Sequence, residues 1–164
     1  MRALVLVSFA VGLSACQFQP LHGDRSASAV SGTDLSAVSV SQVNTRVGQQ
    51  VRNHLLFLLN GGFGSGEKTH EAKIRVTWSN RLLASIQGIR DNVSGTVTVT
   101  VSYDLIELTE GKIVASGNRK AEAGYDRTGQ VFANNRAERD AENRAAKEVA
   151  ESLRLAIASD LNRN

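Results

Sequence analysis

The clearest signal in the chain is the alternation that ends at Leu105. Val93, Val97, Val99, Val101, Tyr103 and Leu105 share one parity, and Thr96, Thr98, Thr100 and Ser102 share the other. A strand that is apolar on one side and hydroxyl-bearing on the other belongs in an antiparallel sheet with one covered face and one wet face. Thr109-Glu110-Gly111-Lys112 predicts a hairpin turn, and Ile113 to Tyr125 returns as a strand with a weaker pattern rich in alanine and glycine. Upstream, Ala72, Ile74, Val76 and Trp78 alternate with Lys73, Arg75 and Thr77. Ser79-Asn80-Arg81 suggests a kink there, Leu82 to Ile86 a continuation, and Asp91-Asn92 a turn. Val38 and Val40 against Ser39 and Ser41 predict a short first strand within Leu35 to Val43.

Two segments change period from two to 3.6. Over Arg46 to Leu59, the residues Val47, Val51, Leu55, Leu58 and Leu59 form one stripe, with Asn44 or Thr45 to cap its start and Gly61 to end it. His54 borders that stripe and reads as a packed, neutral histidine. Leu56 and Phe57 fall off it, so the last turn is either deeply buried or meets a partner. Residues 61–66 form a glycine-rich loop around Phe63, without the Lys-Ser/Thr ending of a phosphate loop. Asp126 to Asn134 reads as a loop, followed by a long helix to about Leu161. From Ala145 its apolar face is clean: Ala146, Val149, Ala150, Leu153, Ala156, Ile157 and Leu161. Glu138, Arg139 and Glu142 intrude on that face in the first turns, which should therefore project beyond the sheet. Strand, helix, three strands, helix predicts an α+β two-layer sandwich, with both helices on one face of a four-stranded, mostly antiparallel sheet.

The N-terminus follows a different grammar. Met1-Arg2 is basic, Ala3 to Leu13 is almost wholly apolar, and Leu13-Ser14-Ala15-Cys16 places small residues before a cysteine. This is the order of an export signal, too short to span a bilayer as a helix. The sequence Leu-Ser-Ala-Cys fits a lipobox, in which the thiol receives lipid before cleavage. The expected organisation is a lipoprotein signal peptide over 1–15, a lipidated flexible linker over 16–33 and an α+β domain over 34–164. The linker holds the only proline, Pro20, and then a Ser/Ala/Gly-rich stretch. Cys16 is the only cysteine, which excludes a disulfide within the chain.

Charge adds little to this picture. The whole chain has 19 basic and 16 acidic residues, and loss of Arg2 leaves 18 against 16. The few aromatics do not interleave with basic clusters, so no nucleic-acid partner is expected. His22, His54 and His70 lack metal-ligand spacing, no Gly-x-Ser-x-Gly elbow occurs, and no cofactor, metal site or catalytic constellation is read. The informative chemistry is the open sheet face, where Lys73, Arg75, Thr96, Thr98, Thr100, Ser102 and Lys120 can gather. Such a surface suits either the polar lumen of a barrel or a phosphorylated lipid, because Arg and Lys bind phosphate by charge-assisted hydrogen bonds. Arg81 and Arg90, near the bends around the second strand, can do likewise. Residues alone also leave room for a lipoprotein subunit of a phospholipid transport system, or a structural envelope lipoprotein.

Three stretches carry a family resemblance. Cys16-Gln17-Phe18-Gln19-Pro20-Leu21-His22-Gly23 resembles the mature start of the LPS-assembly lipoprotein family LptE of alphaproteobacteria, with Gln17 where the family commonly has glycine and His22 where it has tyrosine. Gln50-Val51-Arg52-Asn53 with Leu55 resembles the family's first helix. Phe132-Ala133 and Ala137-Glu138-Arg139-Asp140-Ala141 resemble the opening of its last helix. The resemblance implies a lipid-anchored protein at the periplasmic face of the outer membrane. It implies a plug in the lumen of the LPS-assembly barrel LptD, which it helps to fold, and a role in delivering lipopolysaccharide to the outer leaflet. Candidate barrel contacts are Leu56, Phe57, Phe63, Glu138 and Arg139. Candidate lipopolysaccharide contacts are Lys73, Arg75, Arg81, Arg90 and Lys120.

Overall fold

The computed structural model describes residues 35–61, 67–83 and 94–163, which belong to one compact unit, Thr33–Asn164. The signal, the linker, Cys16, Phe63, Arg90 and Val93 lie outside the described residues. A single 3-10 turn, Leu35–Ala37, leads into β1 (Val38–Val40), α1 (Arg46–Asn60), β2 (His70–Leu82), β3 (Ser94–Glu107), β4 (Ile113–Asp126) and α2 (Val131–Leu161). The sheet order is β1-β2-β3-β4, with β1 parallel to β2 and the other pairs antiparallel. Both helices pack on one face, α1 against β1 and β2 and α2 against β3 and β4, and they contact each other. The expected two-layer architecture is the one found.

The alternation decides which face is sealed. Val97, Val99, Val101, Tyr103 and Leu105 are buried, with Ala72 and Ile74 on β2 and Ala121, Ala123 and Tyr125 on β4. Against them sit Val47, Val51, Leu55 and Leu59 of α1, and Ala145, Ala146, Val149, Ala150, Leu153 and Ile157 of α2. Alanines on both α2 and β4 let the helix approach the sheet closely. Two tyrosines fill what the small residues leave. Tyr103 pairs across the ladder with Gly117, and Tyr125 with Gly95. A Cβ on Gly117 would lie 2.8 Å from the Tyr103 ring, and one on Gly95 2.4 Å from the Tyr125 ring, so each ring occupies the space of the absent side chain. Tyr125 Oη accepts from Asn80 Nδ2 at 2.8 Å, which ties β4 to β2 across β3.

Helix ends follow local chemistry. Thr45 caps α1, its hydroxyl accepting from Gly48 N at 3.1 Å, and Gly61 closes it at φ 60°. In the hairpin, Gly111 takes φ 67°, and Gly111 N donates to Glu107 O at 2.9 Å. Helix α2 begins at Val131, earlier than the pattern suggests. Gln130 makes no side-chain cap. Asn134 instead fastens the connection from inside the helix, accepting from Thr128 N at 2.7 Å and donating to Thr128 O at 2.8 Å. An asparagine that reads as the end of a loop thus serves as the clasp. Nor is there a kink at Ser79-Asn80-Arg81, because β2 stays in unbroken register with β3 from His70 to Leu82. Leu83 N still donates to Ser94 O, and residues beyond it lie outside the described ones.

Two polar clasps hold the helices. Arg46 at the start of α1 pairs with buried Glu142 of α2 and donates to Asn143 Oδ1 at 3.1 Å. Glu142 therefore does not spoil the apolar face, because an arginine from the neighbouring helix meets it. At the other end of α2, Tyr103 Oη donates to buried Asp160 at 2.6 Å, and Arg163 pairs with the same carboxylate. Arg119 lies over the Tyr103 ring, 5.9 Å from its centroid. Burial, and then the hydrogen bond to Asp160, push the Tyr103 hydroxyl up to about 12 from 10.0. Because the folded value is the higher one, this contribution to stability is complete below pH 10 and is lost as pH climbs toward about 12. Tyr103→Phe should therefore destabilise the fold at neutral pH by about 1–3 kcal/mol, because Asp160 loses a donor. It should also blunt the alkaline fall in stability. Urea unfolding at pH 7 and across pH 10 to 12 checks both.

Candidate functional site

The face of the sheet away from the helices is polar from Lys73 to Arg81 and ends, on the hairpin side, at Ile106 opposite Ile113. Register places Lys73, Asp104 and Ser116 in one row, then Arg75, Ser102 and Asn118, then Thr77, Thr100 and Lys120. Ser79, Thr98 and Glu122 follow, and then Arg81, Thr96 and Gly124. Four of the five cations expected here, Lys73, Arg75, Arg81 and Lys120, thus share one surface, and Arg90 lies outside the described residues. These four cations share the face with four carboxylates, Glu71, Asp104, Glu122 and Asp126, so the plate carries both signs in equal number. Lys120 is engaged by Glu122 at 2.6 Å, and Thr98 Oγ1 donates to the same carboxylate at 3.3 Å. The Lys120 hydrogen bond, foremost, holds the Glu122 carboxyl below its ordinary value, with a smaller pull from Arg81. Lys73 and Arg75 make no hydrogen bond or ion pair with described residues, so their heads are free for an anion.

The expected partner contacts divide. Phe57 is 64% exposed on the outside of α1, whereas Leu56 is half-buried and packs against the core. The first turns of α2 stand largely clear: Val131 and Phe132 are exposed, Arg139 is exposed and Glu138 is half-buried, while burial becomes regular from Ala141. Trp78 and Leu82 share the inner parity of β2 but remain 45% and 48% exposed, because the helices do not cover that end of the strand. Leu82 and Leu83, the end of β4 and the start of α2 lie at the same end of the sheet, since Leu83 N bonds Ser94 O and Ser94 pairs with Asp126. This apolar end was not legible as a unit, because its members are far apart in sequence.

Other chemistry is sparse. Gln42, Val43, Gln49, Arg52 and Asn53 line a shallow open notch, and Arg52 there donates through Nε to Val40 O and Ser41 O. Among the described residues no three His, Cys, Asp or Glu side chains converge, and no helix is long and apolar enough to cross a membrane. The arrangement can dock against a hydrophilic wall and pair with anions. Because Leu56 and Phe57 differ in burial, Leu56→Ser should cost about 1–3 kcal/mol and Phe57→Ser less than about 0.5 kcal/mol in chemical denaturation.

Comparison with known proteins agrees with this geometry. The family model for LptE, described as lipopolysaccharide-assembly, matches residues 35–157. No curated protein sequence matches the chain. Among solved structures, a candidate lipoprotein from Caulobacter crescentus CB15 superposes with a TM-score of 0.65 at 22% identity, covering 81% of this chain and 96% of that one. A minor lipoprotein from Acinetobacter baumannii superposes with a TM-score of 0.54 at 14% identity, covering 75% and 92%.

Proposed function

Because this chain belongs to the LptE lipopolysaccharide-assembly family, a family of outer-membrane lipoproteins, we propose that it plugs and helps to assemble the LPS-translocating barrel LptD. The observation that carries this reading is the polar plate opposite the helix-sealed face. Strands β3 and β4 have 14 residues each and run about 45 Å, longer than the roughly 25 Å apolar band of an outer-membrane barrel. A plate of that length and polarity matches a lumen lined by hydrophilic side chains. Phe57 and the projecting start of α2, with Glu138 and Arg139, are the proposed contacts with the barrel. Phe63 joins them by its place in the sequence.

Lys73, Arg75, Arg81 and Lys120 bind the phosphates of lipopolysaccharide in this account, with Arg90 a further contact by sequence. Arginine contributes most, since its planar fork meets two phosphate oxygens at once. Residues 1–15 are the export signal, and Cys16 carries the lipid that holds the protein at the periplasmic face of the outer membrane. The chain between Cys16 and Leu35 reaches at most about 65 Å, enough for the domain to enter a barrel while its anchor stays in the leaflet. The family's role is non-enzymatic, and the plate performs it by docking and anion pairing, without a cofactor.

Affinity purification of the lipidated chain from native membranes tests the reading. Recovery of the LPS-assembly barrel is expected. Recovery of an inner-membrane transporter would instead favour a phospholipid transport subunit, and unchanged surface lipopolysaccharide on depletion would favour a structural lipoprotein. Reversing Arg75 and Arg81 to Glu should weaken lipopolysaccharide binding by about tenfold or more while leaving thermal unfolding unchanged, because both charges stand on an exposed face.

A further inference from the structure

The open sheet has two edges, and they are not equally guarded. The outer strands are β1 and β4. Strand β1 is three residues long, and Arg52 Nε caps the carbonyls of Val40 at 3.3 Å and Ser41 at 3.0 Å. Strand β4 is 14 residues long, and among the described residues no strand lies beyond it. In an antiparallel ladder each residue turns its N–H and C=O together, either toward the neighbouring strand or away from it. The carbonyls of Asn118 and Gly124 accept from Arg119 at 2.6 Å and Arg144 at 2.8 Å, so the even-numbered residues of β4 face outward. Register carries the same parity across the sheet to Ala72, whose carbonyl points to the β1 side and accepts from Ser41 N at 3.1 Å. Between the two capped carbonyls, Lys120 and Glu122 turn their N–H and C=O groups outward with no described backbone partner.

We propose that β4 pairs antiparallel with β4 of a second copy, about a two-fold axis at Ala121. In that register Lys120 lies opposite Glu122 of the second copy and Glu122 opposite its Lys120, each pair able to exchange two backbone hydrogen bonds. Asn118 then faces Gly124. Charges on an edge strand usually guard it, because a like-charged copy is repelled. Here the two charges have opposite sign and sit symmetrically about the axis, so a copy meets a match and not a repeat. Opposite charges placed directly across a strand pair stabilise it, and like charges destabilise it. A two-fold axis perpendicular to the sheet keeps both polar plates on the same side and all four helices on the other. The self-paired form is a state of the chain outside the barrel, and this inference does not rest on the barrel reading.

Sedimentation equilibrium of the full chain in density-matched detergent tests it. A reversible monomer–dimer equilibrium is expected. Lys120→Glu sets carboxylate against carboxylate and Glu122→Lys sets ammonium against ammonium, and each should raise the dimer dissociation constant by about tenfold or more. An equimolar mixture of the two variants should associate as well as the unsubstituted chain, and so should the double swap, which also shows that neither single variant fails by misfolding. A chain that stays monomeric, a dimer indifferent to either single swap, or a mixture that does not recover association would each overturn the proposal.

Discussion

Close approach of α2 to the β3–β4 ladder is the contact on which the rest of the structure depends. It is made of small residues, Ala145, Ala146 and Ala150 against Ala121 and Ala123, with Tyr103 and Tyr125 folded over Gly117 and Gly95 to fill the remaining space. Larger side chains on either surface would lift the helix and open the core. The contact also fixes the polar clasps. Asp160 can meet Tyr103 only when α2 lies at this height, and Glu142 is then in place for Arg46 of α1. Sealing one side in this way commits the whole sheet. The odd residues of β3 from Val97 to Leu105 go into the core, and the threonines and serine between them must face water or a hydrophilic partner.

Much of this was legible in the chain. The valine and threonine parities of β3 mark the two faces of the sheet, and the stripes of α1 and α2 mark the side that the helices cover. Lys73, Arg75, Arg81 and Lys120 fell on one surface because strand parity is local and register follows from it. What sequence could not give was long-range. Glu142 reads as an intruder until Arg46, from a different helix, is seen beside it. Asn134 reads as part of a loop until its hydrogen bonds to Thr128 are seen. Trp78 carries the right parity for burial, yet it is half exposed, because where a helix stops covering a strand depends on packing, not pattern. Tyr–Gly pairing needs register between two strands and leaves no trace in either alone.

A two-sided plate explains why this chain shows so little conventional chemistry. The helix side is spent on stability and the strand side on surface. Membership of the lipopolysaccharide-assembly family gives that surface a setting in which an open, hydroxyl-rich and charged plate is useful. The same openness leaves β4 without a strand on its outer side among the described residues, so the plate's edge is a second place where its chemistry is unspent.

Site-specific photocrosslinking in intact cells tests the central claim most directly. With a photoreactive residue in place of Thr100, at the middle of the outer face, the account expects adducts with the LPS-assembly barrel or with lipopolysaccharide. A normally expressed protein that yields neither adduct from Thr100, and none from its row neighbour Thr77, would contradict it.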